Sequence, residues 1–245
     1  MYRPTSFSQL PEVVKNLLII NGLLFLATIS LESYGINLTR WFALHQFQSE
    51  DFMPHQLITH FFMHANFTHL LFNMFALWMF GKILENVWGG KRFLTYYIIT
   101  GFGAAIIHIL FVQYQISEIS SMLNTKLVSE VLNADPTTQI NGTPLEISRM
   151  QNLYALINTP TVGASGAVFG ILLAFGMLFP NTLLYIYFAI PVKAKYFVIF
   201  YGLIELYLGF INNPNDNVAH FAHLGGMLFG FILLKYWQKN NTQFY

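Results

Sequence analysis

The sequence predicts an all-α bundle of membrane-spanning helices, and three observations predict it. Of the 245 residues, 55% are hydrophobic and 9% are charged, against about a quarter charged in a soluble domain. Apolar runs of roughly 20 residues recur along the chain, the length that crosses a hydrocarbon core of about 30 Å. The basic residues also fall unevenly among the loops that these runs create. A net charge of +1 gives no argument for a nucleic-acid partner. Cysteine is absent, so there is no disulfide framework and no thiolate chemistry.

Taken in order, the apolar runs place six spans at roughly 16–32, 67–84, 93–112, 162–179, 196–211 and 218–237. The first follows a polar leader and lacks a small-x-small cleavage site, so it reads as a retained span and not a signal peptide. The fourth stops at Phe179-Pro180-Asn181. The apolar stretch from Thr182 to Ile190 is too short to span and is expected as a loop along the interface. With the N-terminus inside, the cytoplasmic side collects Arg3, Lys15, Lys82, Lys91, Arg92, Lys193, Lys195, Lys235 and Lys239. The outside keeps Arg40, Lys126 and Arg149. That asymmetry puts both termini in the cytoplasm and suits a bacterial inner membrane.

The expected organisation is a short cytoplasmic segment (1–15), a six-helix membrane domain (16–237) and a cytoplasmic tail (238–245). An extra-cytoplasmic insertion, 113–160, separates helices three and four. Within it, Thr143-Pro144-Leu145-Glu146 forms a capping box with proline at the first helical position, predicting a helix over about 144–157. Ile116, Ile119, Leu123 and Leu127 recur at helical spacing, as in an amphipathic helix resting on the membrane surface. An irregular loop is the alternative for this segment.

Polar side chains inside a membrane need a partner or a task. Asn66 is a good helix cap for span two, on which His69 and Asn73 share a face. Asn217 can cap span six, which carries His220 and His223. Ser165 lies at the start of span four, between Gly163 and Gly166, under backbone N–H groups that lack intrahelical partners. Spans two, four and six run in the same direction, so Ser165, His69, Asn73 and His223 fall at one depth below the outer surface. A serine hydroxyl needs a base, for which neutral histidine is the usual choice. An oxyanion needs donors, and His69, Asn73 and the Ser165 N–H are the candidates. Gly166 with Gly170, and Gly226 with Gly230, give small-xxx-small faces that allow the two helices to approach closely. Read alone, Ser165 is the simpler case of a hydrogen-bonding contact between helices; the constellation around it favours a nucleophile.

These motifs resemble the rhomboid family of intramembrane serine proteases over roughly residues 10–237, apart from the insertion. Gly163-Ala164-Ser165-Gly166 is similar to the family's GxSG nucleophile motif. Ala222-His223 with Gly226 and Gly230 is similar to its AHxxGxxxG motif. His69 and Asn73 match HxxxN, and Gly81 and Glu85 match GxxxE. The resemblance implies a six-transmembrane-helix rhomboid bundle in which Ser165 is the nucleophile and His223 the general base. It implies oxyanion stabilisation by His69 and Asn73, a Ser–His dyad with no orienting acid, and cleavage of other membrane proteins in or beside their transmembrane helices. It implies no cofactor. Two positions depart from the pattern: His55-Gln56 stand where the family often has Trp-Arg, and Phe169 takes the aromatic place one turn after the serine.

The remaining polar residues carry weaker readings. His60 and His64 precede span two and read as loop-ordering or water-holding residues. A zinc site from His60, His64 and His69 lacks a nearby acid, so no metal is expected. Glu85 reads as structural, accepting hydrogen bonds at a helix end, and His108 as packing. Glu205 is an acid inside span five and a functional candidate by position, with a hydrogen-bonded packing role as its alternative. The soluble-hydrolase pattern GxSxG fails at Ala167. Two other functions compete with the protease. One is a catalytically silent escort for membrane helices, whose signature would be loss of the serine or histidine. The other is a transporter, which predicts internal repeats that the sequence lacks.

Overall fold

The computed structural model describes residues 10–134, 142–186, 189–211 and 218–240. Asn217, the expected cap of the last span, lies outside the described residues. Among the described residues the fold is all-α apart from one strand pair. Helix α1 (Glu12–Glu32) buries Val14, Leu17, Asn21 and Phe25 and turns Leu23 and Leu26 outward. Two short helices, α2 (Leu38–Phe42) and α3 (Gln56–Thr59), punctuate the loop that follows, and α3 runs on into a tight turn over His60–Phe62. Helix α4 (Phe67–Ala76) starts where expected, because the Asn66 side chain accepts the His69 N–H at 2.8 Å. It continues through a widened turn, Leu77–Gly81, into α5 (Lys82–Trp88). Gly89, at φ 78°, then reverses the chain in a conformation that favours glycine.

Helix α6 (Gly90–Ser121) overshoots its expected span. Its 32 residues rise about 48 Å, well beyond a bilayer core of about 30 Å. The amphipathic surface helix expected from Ile116, Ile119, Leu123 and Leu127 is therefore not formed as one element. Ile116 and Ile119 belong to α6, Leu123 to the following turn, and Leu127 to α7 (Thr125–Leu132). All four pack into a small second core with Val131, Met150, Leu153 and Ile157, so they bury against protein instead of lipid. The partner is α8 (Pro144–Asn158), whose capping box forms as the sequence predicts: Glu146 N–H meets Thr143 Oγ1, and Thr143 N–H donates to Glu146 Oε2 at 2.9 Å.

Helix α9 (Ser165–Leu178) is the central element, buried along most of its length. The expected interfacial loop after it is an antiparallel hairpin, β1 (Leu183–Ile186) paired with β2 (Ile190–Lys193). The two strands satisfy the backbone groups on their facing edges. Helices α10 (Ala194–Ile211) and α11 (His220–Asn240) complete the bundle. Among the described residues, four segments are long and apolar enough to cross a membrane: α1, the continuous α4–α5 unit, α6 and α10. Helix α9 is apolar but has only 14 residues. It rises about 21 Å, so at least one of its ends lies within the membrane thickness. Backbone at that depth is tolerated only where protein covers it.

Loops supply that cover. Leu44 and Thr161 exchange backbone hydrogen bonds at 2.9 and 2.8 Å, and the Gly163 N–H donates to the His60 carbonyl at 2.9 Å. The loop before α4 and the chain entering α9 are thus tied together just ahead of Ser165.

Candidate active site

The site begins with the crossing of α9 and α11. A Cβ added to Gly226 would collide with the Gly166 carbonyl, and one added to Gly166 would collide with Ala104 of α6. Only glycine lets these backbones approach so closely. The paired faces have different partners further along, where Gly170 lies against Thr100 and Gly230 against Tyr96.

This crossing puts the first residue of α9 beside the first turn of α11. His223 Nε2 lies 2.8 Å from Ser165 Oγ. Phe169 stacks on the imidazole, with centroids 4.1 Å apart and planes within 7° of parallel. His223 Nδ1 lies 2.8 Å from Glu205 Oε2, and the same oxygen lies 2.7 Å from His220 Nδ1. All three side chains are buried, Glu205 to 4% exposure.

From α4, the His69 ring lies against Gly163, two residues before the serine. Gly163, at φ 124°, faces its ring, and a Cβ there would sit 2.7 Å from His69 Cε1 and 2.8 Å from Nε2. Any side chain at Gly163 would therefore displace the imidazole as well as strain the backbone. Asn73 lies one turn further along α4, buried, with its amide N–H donated to the His69 carbonyl at 2.9 Å. A cavity of about 20 Å³ opens beside Ser165, bounded by His60, Thr161, Val162, Gly163 and Ala219. That is room for about one water.

The supporting loop is where sequence reasoning saw least. Gln56, at the departure from the family pattern, is fully buried. It accepts the His45 N–H at 3.2 Å and donates to the Asp51 carbonyl at 2.7 Å. His55 bonds the Trp41 carbonyl at 2.8 Å, and Arg40 pairs with Asp51. His108 is more than packing, since its Nε2 meets Thr161 Oγ1 at 2.8 Å and so holds the chain entering α9. His60 and His64 do lie ahead of α4, both buried, and burial pushes each down to about 4. His69, 5.1 Å ring to ring from His64, adds to that effect by charge repulsion. No residue-type signal marked Gln56 or Thr161. Glu205 had one, as an acid inside a span, but its partners are distant in sequence.

At the other end of the bundle, Glu85 accepts the Val13 and Val14 N–H groups at 2.9 and 2.7 Å. It caps the start of α1, the structural role expected of it. Gly81 permits this packing, with Val14, Leu77 and Phe93 all 3.1 Å from where its Cβ would be. Among the described residues, the group that could hold a metal ion is Glu205, His220 and His223.

Apolar helices long enough to cross a membrane, with a serine and a histidine in contact among them, define a multi-pass membrane protein. Residues 51–239 match the Rhomboid domain, and the chain belongs to the rhomboid family. It is 30% identical over 175 residues to the rhomboid protease AarA of Providencia stuartii, covering 70% of this chain and 51% of that protein. It is 27% identical over 203 residues to an uncharacterised mitochondrial rhomboid protein of Schizosaccharomyces pombe, covering 76% and 52%. It is 29% identical over 172 residues to the mitochondrial RHOMBOID-like protein 12 of Arabidopsis thaliana, covering 70% and 43%. The chain thus spans about half the length of these relatives.

Proposed function

We propose that this protein is an intramembrane serine endopeptidase that cleaves transmembrane or juxtamembrane segments of other membrane proteins. The observation that carries the reading is the 2.8 Å approach of His223 Nε2 to Ser165 Oγ inside the bundle. Ser165 attacks the scissile carbonyl as its proton passes to His223 Nε2. His223 then returns that proton to the leaving amine, and a water activated by the same nitrogen hydrolyses the acyl-enzyme. The Ser165 N–H, His69 and Asn73 stabilise the oxyanion. A substrate helix must give up backbone hydrogen bonds in lipid to expose its carbonyl, so weakly helical segments are preferred. The substrates are membrane proteins in the surrounding bilayer; no nucleic acid, metal or cofactor takes part. The basic-residue asymmetry supports cytoplasmic termini in a bacterial inner membrane.

The test is cleavage of a model transmembrane substrate by the purified protein beside Ser165→Ala and His223→Ala. Both variants should be inactive, while His220→Ala keeps most activity. Equal cleavage by all would remove the dyad. A wild-type protein that binds the substrate helix and leaves it whole would make this chain an escort.

A further inference from the structure

We infer that Glu205 is a positioning residue for the proposed base, so that the site works as Ser165, His223 and Glu205 together. The inference rests on the protease reading and adds a third group to it. An acid inside a membrane-spanning helix is costly and needs a reason. The described structure holds two carboxylates buried in the bundle, Glu85 and Glu205. Glu85 is accounted for by the two backbone N–H groups of α1. What surrounds Glu205 is two imidazoles.

With Glu205 ionised, the geometry sets the tautomer. One oxygen, Oε2, contacts Nδ1 of His220 at 2.7 Å and Nδ1 of His223 at 2.8 Å, lengths usual for N–H donated to a carboxylate. An ionised carboxylate offers acceptors only, and here it accepts from both rings. A protonated oxygen could donate to one ring alone and would still need the other to donate. With Nδ1 of His223 carrying its proton, Nε2 of the neutral ring is the acceptor, and it is the atom that faces Ser165 Oγ. Phe169 covers a face of the ring, and Glu205 decides which edge points at the serine.

The same contact acts during the reaction. When the Ser165 proton moves to Nε2, His223 becomes an imidazolium beside a carboxylate in a site from which water is largely excluded. The proton moves from Oγ to Nε2 only; Glu205 neither gives nor takes one. Its contribution is orientation and charge, the role of the acid in other serine hydrolases. His220 gives the carboxylate a second donor, so Glu205 does not depend on His223 alone.

The experiment uses the full chain in detergent and reads two quantities. One is the rate at which a fluorophosphonate labels Ser165, which needs no substrate, and the other is kcat and KM on a model transmembrane substrate. Glu205→Gln should lower labelling and kcat by about 100-fold or more and leave KM within about twofold. Glu205→Asp, which keeps the charge, should recover part of the loss. In a His223→Ala background, Glu205→Gln should remove nothing further from the residual rate, because the path through the histidine is already gone. Labelling of Glu205→Gln at the wild-type rate, with Ser165→Ala unlabelled, would overturn the inference and leave the protease reading intact. A loss that adds to that of His223→Ala would reduce Glu205 to a packing residue. Should Glu205→Gln unfold, Glu205→Asp decides: partial labelling with KM within about twofold in a folded protein sustains the positioning role, and a loss that adds to that of His223→Ala overturns it. Activity lost to EDTA and restored by Zn²⁺ would replace the hydrogen-bonded carboxylate with a metal site on the same three residues. A wild-type protein that neither labels nor cleaves would overturn the protease reading itself, and this one with it.

Discussion

The two ends of the bundle are each built on a buried glutamate, and what separates them is the donor each one receives. Glu85 takes two main-chain N–H groups from the first turn of α1. Those donors cannot titrate or turn, so the carboxylate can only hold α1 against α5. Glu205 takes two imidazole N–H groups. Those donors belong to rings whose far nitrogens can exchange a proton, and one of them faces a hydroxyl. Burial alone therefore does not mark a functional acid. Its partners do.

The comparison is easiest to break where both ends are at stake. Gly226→Val would drive a side chain into the Gly166 carbonyl and separate α9 from α11. It should cost about 3 kcal/mol or more and abolish proteolysis, read by thermal unfolding and cleavage together. Glu85→Ala should instead cost about 3 kcal/mol of stability through its two lost charge-assisted bonds, with kcat per folded molecule unchanged. Glu205→Gln should show the reverse, a fall in kcat of about 100-fold with a smaller change in melting temperature. A shared pattern in these two variants would erase the distinction.

A smaller effect comes from pH. His60 and His64 are held down to about 4 by burial, against an ordinary value of 6.5. Between those values the unfolded chain binds protons that the folded protein does not. Stability is therefore complete above about pH 6.5 and falls as pH drops towards 4, by about 2 kcal/mol per histidine at pH 5. Equilibrium unfolding at pH 7 and pH 5 checks it, and His60→Gln should flatten the slope. The smallest effect belongs to the insertion. Thr143→Ala removes the capping box of α8 and should cost about 1 kcal/mol locally, seen as faster hydrogen exchange in α8 with cleavage unaltered.

How much of this was legible depended on the range of the interaction. Asn66, Thr143 and Phe179 act on residues within four positions, and the helix ends they predict are where the structure has them. Ser165, His69 and His223 were legible because a shared span direction puts them at one depth before any packing is known. The pairing of Glu205 with residues 15 and 18 positions away was not. It crosses from α10 to α11, and nothing in either helix names the other's register. The same limit hid Gln56 and the bond from His108 to Thr161. The upstream part of the insertion was misread for a different reason: helical spacing of Ile116, Ile119, Leu123 and Leu127 reports an apolar face and cannot say whether lipid or protein will cover it.

The stack of Phe169 on His223 gives the site a response that only turnover can evoke. At rest the two rings lie face to face at 4.1 Å, in dispersion contact. In the proposed reaction, once the serine proton has crossed, the His223 ring is a cation lying on the negative face of the Phe169 phenyl group. Such a contact is worth about 0.5–1 kcal/mol when exposed and about 2 when desolvated. Phe169 is then a cation receptor that engages during bond making and lapses when the proton leaves. It favours the passage of charge over the states on either side of it.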